Sequence, residues 1–107
     1  MATQQQASKT VFRVIDAMDA PHSGRILRLR LQEGTAPPIR QLRGARFRAR
    51  SPQGEEESLQ VQGFALVGGK PSDARVSRTG RIDLVVALEG NGSRPQASVR
   101  WELAGPL

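Results

Sequence analysis

The sequence predicts an all-β protein, a small antiparallel β-barrel of about six strands. Apolar residues recur at every second position in most of the chain, which is the pattern of strands with one buried and one solvent-facing side. Segments rich in Gly and Pro separate these runs, and no segment of ten or more residues has a helical apolar period. Short strands cut by tight turns favour a closed or nearly closed barrel.

Each predicted strand places its apolar side chains on one face. The second run carries Leu27, Leu29 and Leu31 on one side and arginines on the other. The fourth run changes phase at Gly63, which predicts a β-bulge or a barrel corner. The one helical candidate, residues 14–20, is short and runs into Pro21. The six runs are residues 10–16, 25–33, 45–51, 58–67, 81–89 and 96–103.

The third and fourth strands form a predicted hairpin that turns at residues 52–54. Pairing Phe47 with Leu59 keeps both apolar faces on the same side, and this sets the register. This register pairs every arginine of the third strand with a polar residue: Arg46 with Gln60, Arg48 with Ser58 and Arg50 with Glu56. We therefore expect Glu56 to neutralise Arg50, and Glu55 or Glu57 to reach further arginines.

The chain length and composition indicate one soluble domain. A chain of 107 residues can bury its own core, and without cysteine it does so without disulfides. We expect a disordered tail over the polar residues 1–9 and a single barrel domain over 10–104. No stretch has the apolar core of a signal peptide or the roughly 18 apolar residues of a membrane span. The expected location is the cytoplasm, with no membrane partner.

Most of the chain, residues 11–90, resembles the second domain of translational GTPases, the β-barrel of the elongation factor Tu type. The resemblance depends on five short patterns, which are F-x-V-x-D, R-[VIL]-x-x-G-[TS], a Gly before the next strand, a later V-x-[SG]-[IF] and a final segment around a glycine. They fall on Phe12, Val14 and Asp16; on Arg30, Leu31, Gly34 and Thr35; on Gly44; on Val61, Gly63 and Phe64; and on Val76, Gly80, Asp83 and Leu84. The resemblance implies the barrel fold.

The chain departs from this family at several points. Leu29 stands where members often have Gly, Ala45 stands where they have an acidic residue, and residues 36–41 look like an insertion. No P-loop is present, because residues 69–72, "GKPS", lack the upstream Gly and the Lys-Ser/Thr pair. The chain is therefore expected to bind no nucleotide, and to act as a binding surface without GTP chemistry.

The residues offer no recognisable catalytic or metal site. His22 is the only histidine and lies in a Pro-flanked loop, and Asp16 and Asp19 have no nucleophile or metal-ligand spacing beside them. The acidic run 55–57 is expected to be solvated or paired with arginine. We expect no enzyme activity, no metal and no cofactor.

Charge is the strongest functional signal. The chain has 16 basic and 10 acidic residues, a net charge of +6, and 14 of the basic residues are arginine. Such a balance favours polyanionic partners, although a GC-rich coding sequence can produce the same bias. If the second and third strands were neighbours, Arg28 and Arg30 would share a face with Arg46, Arg48 and Arg50.

Two functions follow. The first is a basic barrel that binds structured RNA or a ribonucleoprotein by backbone contacts, because exposed aromatic rings for base stacking are scarce. The second is a protein-interaction or assembly module that docks another chain through edge strands and the loop 35–42, without nucleic acid. For the first function the predicted binding residues are Arg25, Arg28, Arg30, Arg43, Arg46, Arg48 and Arg50.

Overall fold

Six antiparallel strands close into a barrel in the computed structural model, which describes residues 10–21, 23–65 and 71–107. The order around the ring is β1-β2-β5-β4-β3-β6, and β6 pairs again with β1. This confirms the predicted all-β antiparallel barrel. The tail 1–9 and His22 lie outside the described residues. The strands are β1 (Val11–Asp19), β2 (Arg25–Glu33), β3 (Arg46–Arg50), β4 (Glu56–Phe64), β5 (Arg81–Leu88) and β6 (Glu102–Ala104).

The alternating apolar side chains fill the inside of the ring. Phe12 of β1 and Phe47 of β3 meet edge to face with ring centroids 6.3 Å apart, an arrangement that aromatic pairs prefer. Five leucines from four strands are completely buried around them: Leu27, Leu29, Leu59, Leu84 and Leu103. The opposite side of each strand faces outward, so the charged residues of the alternating pattern form the outer surface.

The predicted hairpin register is confirmed. Phe47 pairs with Leu59, and the arginines of β3 stand opposite Gln60, Ser58 and Glu56 as expected. The phase change at Gly63 is also confirmed, because the pairing of β4 with β5 shifts register between Val61 and Gly63. The end of the predicted fourth strand, Leu66 and Val67, lies outside the described residues.

The prediction for the last strand is wrong over most of its length. Residues 96–103 were expected to form a strand, but β6 covers only Glu102–Ala104. The carboxylate of Glu57 accepts hydrogen bonds from the backbone N–H groups of Gln96 and Ala97, at 2.9–3.1 Å. These donors are therefore bound to a side chain instead of a neighbouring strand.

Two short helical segments were not predicted, and the candidate helix at residues 14–20 is instead largely part of β1. Helix α1 (Asp73–Thr79) begins after Ser72, whose side chain accepts a hydrogen bond from Arg75 N, and ends at Gly80 with a φ of 70°. Both ends are typical helix caps. A 3₁₀ helix covers Ile39–Gln41. Val76 is the one buried residue of α1, so the sequence of this helix shows no repeating apolar pattern from which a helix could be predicted.

Candidate anion-binding surface

The two predicted arginine ladders are not neighbours. In the ring, β5 and β4 separate β2 from β3 on one side, and β1 and β6 separate them on the other. The expectation that Arg28 and Arg30 share a patch with the arginines of β3 through direct strand pairing is therefore wrong. The reason is the strand order. After β2 the chain crosses the end of the barrel, so β3 pairs with β4 and β6 and not with β2.

Four of the seven predicted arginines are paired with carboxylates of the chain itself. In each pair a guanidinium nitrogen lies within 3.5 Å of a carboxylate oxygen. Such pairs reduce the charge available to an external anion, although exposed ones contribute only about 0–1 kcal/mol each. The pairs are Arg25–Asp19 at 2.9 Å, Arg28–Asp83 at 3.1 Å, Arg46–Glu89 at 3.1 Å and Arg48–Glu56 at 3.5 Å.

The pair of Arg28 with Asp83 is the most enclosed, because the Asp83 side chain is only 12% exposed. The hydrogen bond from Arg28 Nε to this carboxylate, together with the attraction between the charges, raises the pKa of Arg28 above its ordinary value. Asp16 also stands opposite Arg28 on β1. Arg28 is therefore held between two acidic residues of the adjacent strands.

The acidic run of the hairpin acts differently from the prediction. Glu56 stands opposite Arg50 but forms its ion pair with Arg48, a diagonal contact that long side chains reach on a twisted sheet. Glu57 stands opposite the buried Ala49 and binds backbone N–H groups at the barrel end. Among the described residues, Glu55 forms no ion pair with an arginine.

Arg43 is separate from both ladders. Its guanidinium lies over the ring of Phe64, 5.4 Å from the centroid, which is a cation–π distance. Phe64 is the aromatic side chain that is half-buried; Phe12 and Phe47 are fully buried and Trp101 is 7% exposed. Among the described residues, no aromatic ring is therefore open on both faces for base stacking.

Three exposed arginines stand directly opposite one another on three adjacent strands. Arg13 on β1 pairs with Arg30 on β2, and Arg30 pairs with Arg81 on β5. None of the three forms an ion pair with a described residue. Like charges in such positions repel one another.

This line of residues continues around the barrel through β6. Arg13 also pairs with Glu102, Glu102 pairs with Arg50, and Arg50 pairs with Glu56. We call the arginines of this line, Arg81, Arg30, Arg13 and Arg50, the arginine row. It crosses four strand-to-strand steps, which at roughly 4.8 Å each is about 19 Å along the curved surface.

A depression of about 520 Å³ lies at one end of the arginine row. Arg13, Arg50 and Arg100 line it together with Glu102, and the turn of residues 51–54 forms one wall. We call this the arginine pocket. Glu102 accepts a hydrogen bond of 2.8 Å from Gln32 Nε2.

The predicted binding residues and the arginines of the candidate surface overlap in part. Arg30 and Arg50 were predicted and belong to the row, whereas Arg13, Arg81 and Arg100 were missed. Arg13 carried a signal, since it alternates with Phe12 and Val14, but only the strand order shows what stands beside it.

No group of three or more His, Cys, Asp or Glu residues in the described ranges could hold a metal ion. In the same ranges no helix has the length and apolar character required to cross a membrane.

The comparisons with known proteins leave the resemblance to translational GTPases as a prediction. No family model, no curated protein and no solved structure was found to match the chain.

Proposed function

We propose that the barrel is a non-enzymatic cytoplasmic module that binds structured RNA or a ribonucleoprotein through its arginine row. The observation that carries this proposal is the direct opposition of Arg13, Arg30 and Arg81 without a carboxylate of the described chain between them. Each pair of like charges costs stability, and a bound polyanion removes that cost.

The neighbouring positions on the same strand support the proposal. Two residues before Arg30, Arg28 stands between Asp16 and Asp83. The sheet therefore places two carboxylates opposite Arg28 and two arginines opposite Arg30. Along β2, the row is therefore where positive charge is left for an outside partner.

Arginine is suited to phosphate, since its planar guanidinium binds two phosphate oxygens at once. The row and the pocket together present five arginines: Arg13, Arg30, Arg50, Arg81 and Arg100. Buried aromatic rings and an arginine-rich surface favour contacts to the nucleic-acid backbone over contacts to bases. Recognition would then depend on shape and charge, with little sequence preference.

The alternative of a protein-docking module has less support. The closed ring gives each of the six strands a paired neighbour on both sides, so none of these strands lies at the edge of a sheet. The loop 35–42 is fixed to the barrel, because Leu42 is buried and Ile39 N donates a hydrogen bond to Asp73.

Salt-dependent binding tests the proposal. Fluorescence anisotropy with an RNA hairpin should show affinity falling with salt, with a slope of log K against log [salt] of about −4 to −5 if five phosphates are neutralised. Light scattering on the same sample shows whether the protein binds as a monomer. Absence of binding to RNA at low salt would overturn the proposal.

Matched variants separate the row from general charge. Arg13→Ser, Arg30→Ser and Arg81→Ser should each reduce the slope by about 0.9. Arg46→Ser and Arg48→Ser remove the same charge from arginines that are ion-paired within the chain, so they should change the slope much less. Equal losses in both groups would mean that net charge alone, and not the row, binds RNA.

A further inference from the structure

We propose that the arginine pocket binds a terminal phosphate monoester, so that one end of a nucleic-acid strand is held there and the strand continues along the row. This inference rests on the proposed function. It adds the chemical class of the group bound in the pocket and a direction for the bound strand.

The charge of the pocket matches a monoester better than a phosphodiester. Arg13, Arg50 and Arg100 contribute three positive charges, and Glu102 contributes one negative charge. The net charge of the lining is therefore about +2, while a phosphate monoester carries about −1.5 to −2 at pH 7. A phosphodiester within a strand carries a single negative charge and would leave one guanidinium without a counterion.

Glu102 lowers the net charge of the pocket but occupies none of its guanidinium donors. Its carboxylate is bound by Gln32 Nε2 at 2.8 Å, and it forms no ion pair with a described arginine. The three guanidiniums of the pocket are likewise without carboxylate partners among the described residues. The pocket therefore keeps its donors for an external anion.

The surroundings of the pocket stop a strand from passing through it. Beyond Arg50, the next position of the line is Glu56, which is ion-paired with Arg48 and offers no positive charge to a further phosphate. The turn 51–54 forms a firm wall, because Ser51 Oγ accepts hydrogen bonds from the backbone N–H groups of Gln53 and Glu55. In the other direction the path along Arg13, Arg30 and Arg81 is open and positive.

Arg100 has an unusual backbone that points to the same site. Its φ is 79°, the one positive value among the described residues other than glycine. Arg100 N donates to Val14 O at 2.9 Å, and Val14 N donates to Trp101 O at 2.9 Å, so β1 holds this conformation in place. Glycine adopts such a φ without strain, whereas a residue held there with a large side chain suggests a function for that side chain.

The size of the depression fits a terminal nucleotide. Its volume of about 520 Å³ lies within the range of about 300–1,000 Å³ that is typical of small-ligand sites. The pocket can therefore hold the phosphate together with part of the sugar, while the next phosphates lie on the row.

The test compares RNA oligonucleotides that differ only at their ends. One pair carries a 5′-phosphate or a 5′-hydroxyl with the fluorophore at the 3′ end, and a second pair carries a 3′-phosphate or a 3′-hydroxyl with the fluorophore at the 5′ end. We expect one phosphorylated end to bind about tenfold more tightly than its hydroxyl counterpart, since the monoester adds charge-assisted hydrogen bonds. Equal affinities within both pairs, with RNA still bound, would overturn this inference and leave the proposed function standing.

Two variants connect the preference to the pocket. Arg100→Gly removes the guanidinium and suits the positive φ, so it should fold normally, still bind hydroxyl-ended RNA, and lose the preference for the phosphate. Arg81→Ser, at the other end of the row, should weaken both RNAs equally and keep the ratio between them. A preference that survives in Arg100→Gly would show that the phosphate is bound elsewhere. If the wild-type protein binds none of these RNAs, the proposed function itself is refuted.

Discussion

Replacing Arg30 by Glu should make the protein more stable while it weakens RNA binding. Arg30 stands directly between Arg13 and Arg81, so Arg30→Glu converts two repulsive pairs into two attractive ones. Cross-strand charge pairs contribute roughly 0.2–1 kcal/mol each, and exposed pairs lie at the lower end of that range. With two pairs reversed, and a small loss for the poorer strand propensity of Glu, we expect a gain of about 1 kcal/mol.

The matched control is Arg28→Glu on the same strand and the same outward face. Arg28 stands between Asp16 and Asp83 and is ion-paired with Asp83, so the same change of charge here should destabilise the protein by at least about 1 kcal/mol. The two variants have equal net charge and opposite predicted effects. General charge effects therefore cannot account for a difference between them.

Thermal unfolding followed by circular dichroism, at about 20 mM and about 500 mM salt, measures both effects. A gain of 1 kcal/mol corresponds to a rise in Tm of about 4–8 °C for a domain of this size, and high salt should shrink the shift because the Debye length falls to a few ångströms. If Arg30→Glu melts at or below the wild-type temperature at low salt, the arginines of the row do not repel one another and the reasoning behind the proposed function fails.

Three further predictions concern the scaffold. Leu29→Ala, at a completely buried position, should cost about 2–5 kcal/mol in urea unfolding; a smaller loss would mean that the core is loosely packed. Gly24→Ala should destabilise far more than Gly54→Ala, because both have positive φ but only the first puts a Cβ 2.7 Å from Val86 O; equal urea midpoints would contradict this close approach. Glu57→Gln should weaken the bonds to Gln96 and Ala97 and speed hydrogen exchange of those two amides; unchanged exchange rates would show that the carboxylate does not hold this segment.

The parts of the fold that depend on short-range patterns could be predicted from the sequence. The alternation of apolar and polar residues shows which side of each strand is buried. The register of β3 with β4 follows from one turn and the pairing of Phe47 with Leu59. The shift at Gly63 follows from a change of phase. Each of these needs only neighbours along the chain.

The candidate site could be predicted only in part, because it depends on long-range pairing. That Arg30 and Arg50 face outward was predictable, but their connection through Arg13 and Glu102 requires β6 to lie between β1 and β3. Nothing local specifies that strand order. The hairpin register likewise did not predict that Glu56 would pair with Arg48 rather than Arg50, since diagonal contacts depend on sheet twist.

Because β6 is made after the other five strands, the barrel and the candidate site can be completed only at the end of synthesis. Strand β6 is the last along the chain, yet it lies between the first and the third. During synthesis β1 and β3 therefore keep open edges, which are prone to pair with other chains, until residues 102–104 have been made. The same step brings Arg13 and Arg50 to either side of Glu102. A polyanion that binds both arginines would selectively stabilise the closed form and, by mass action, protect a newly made chain from aggregation.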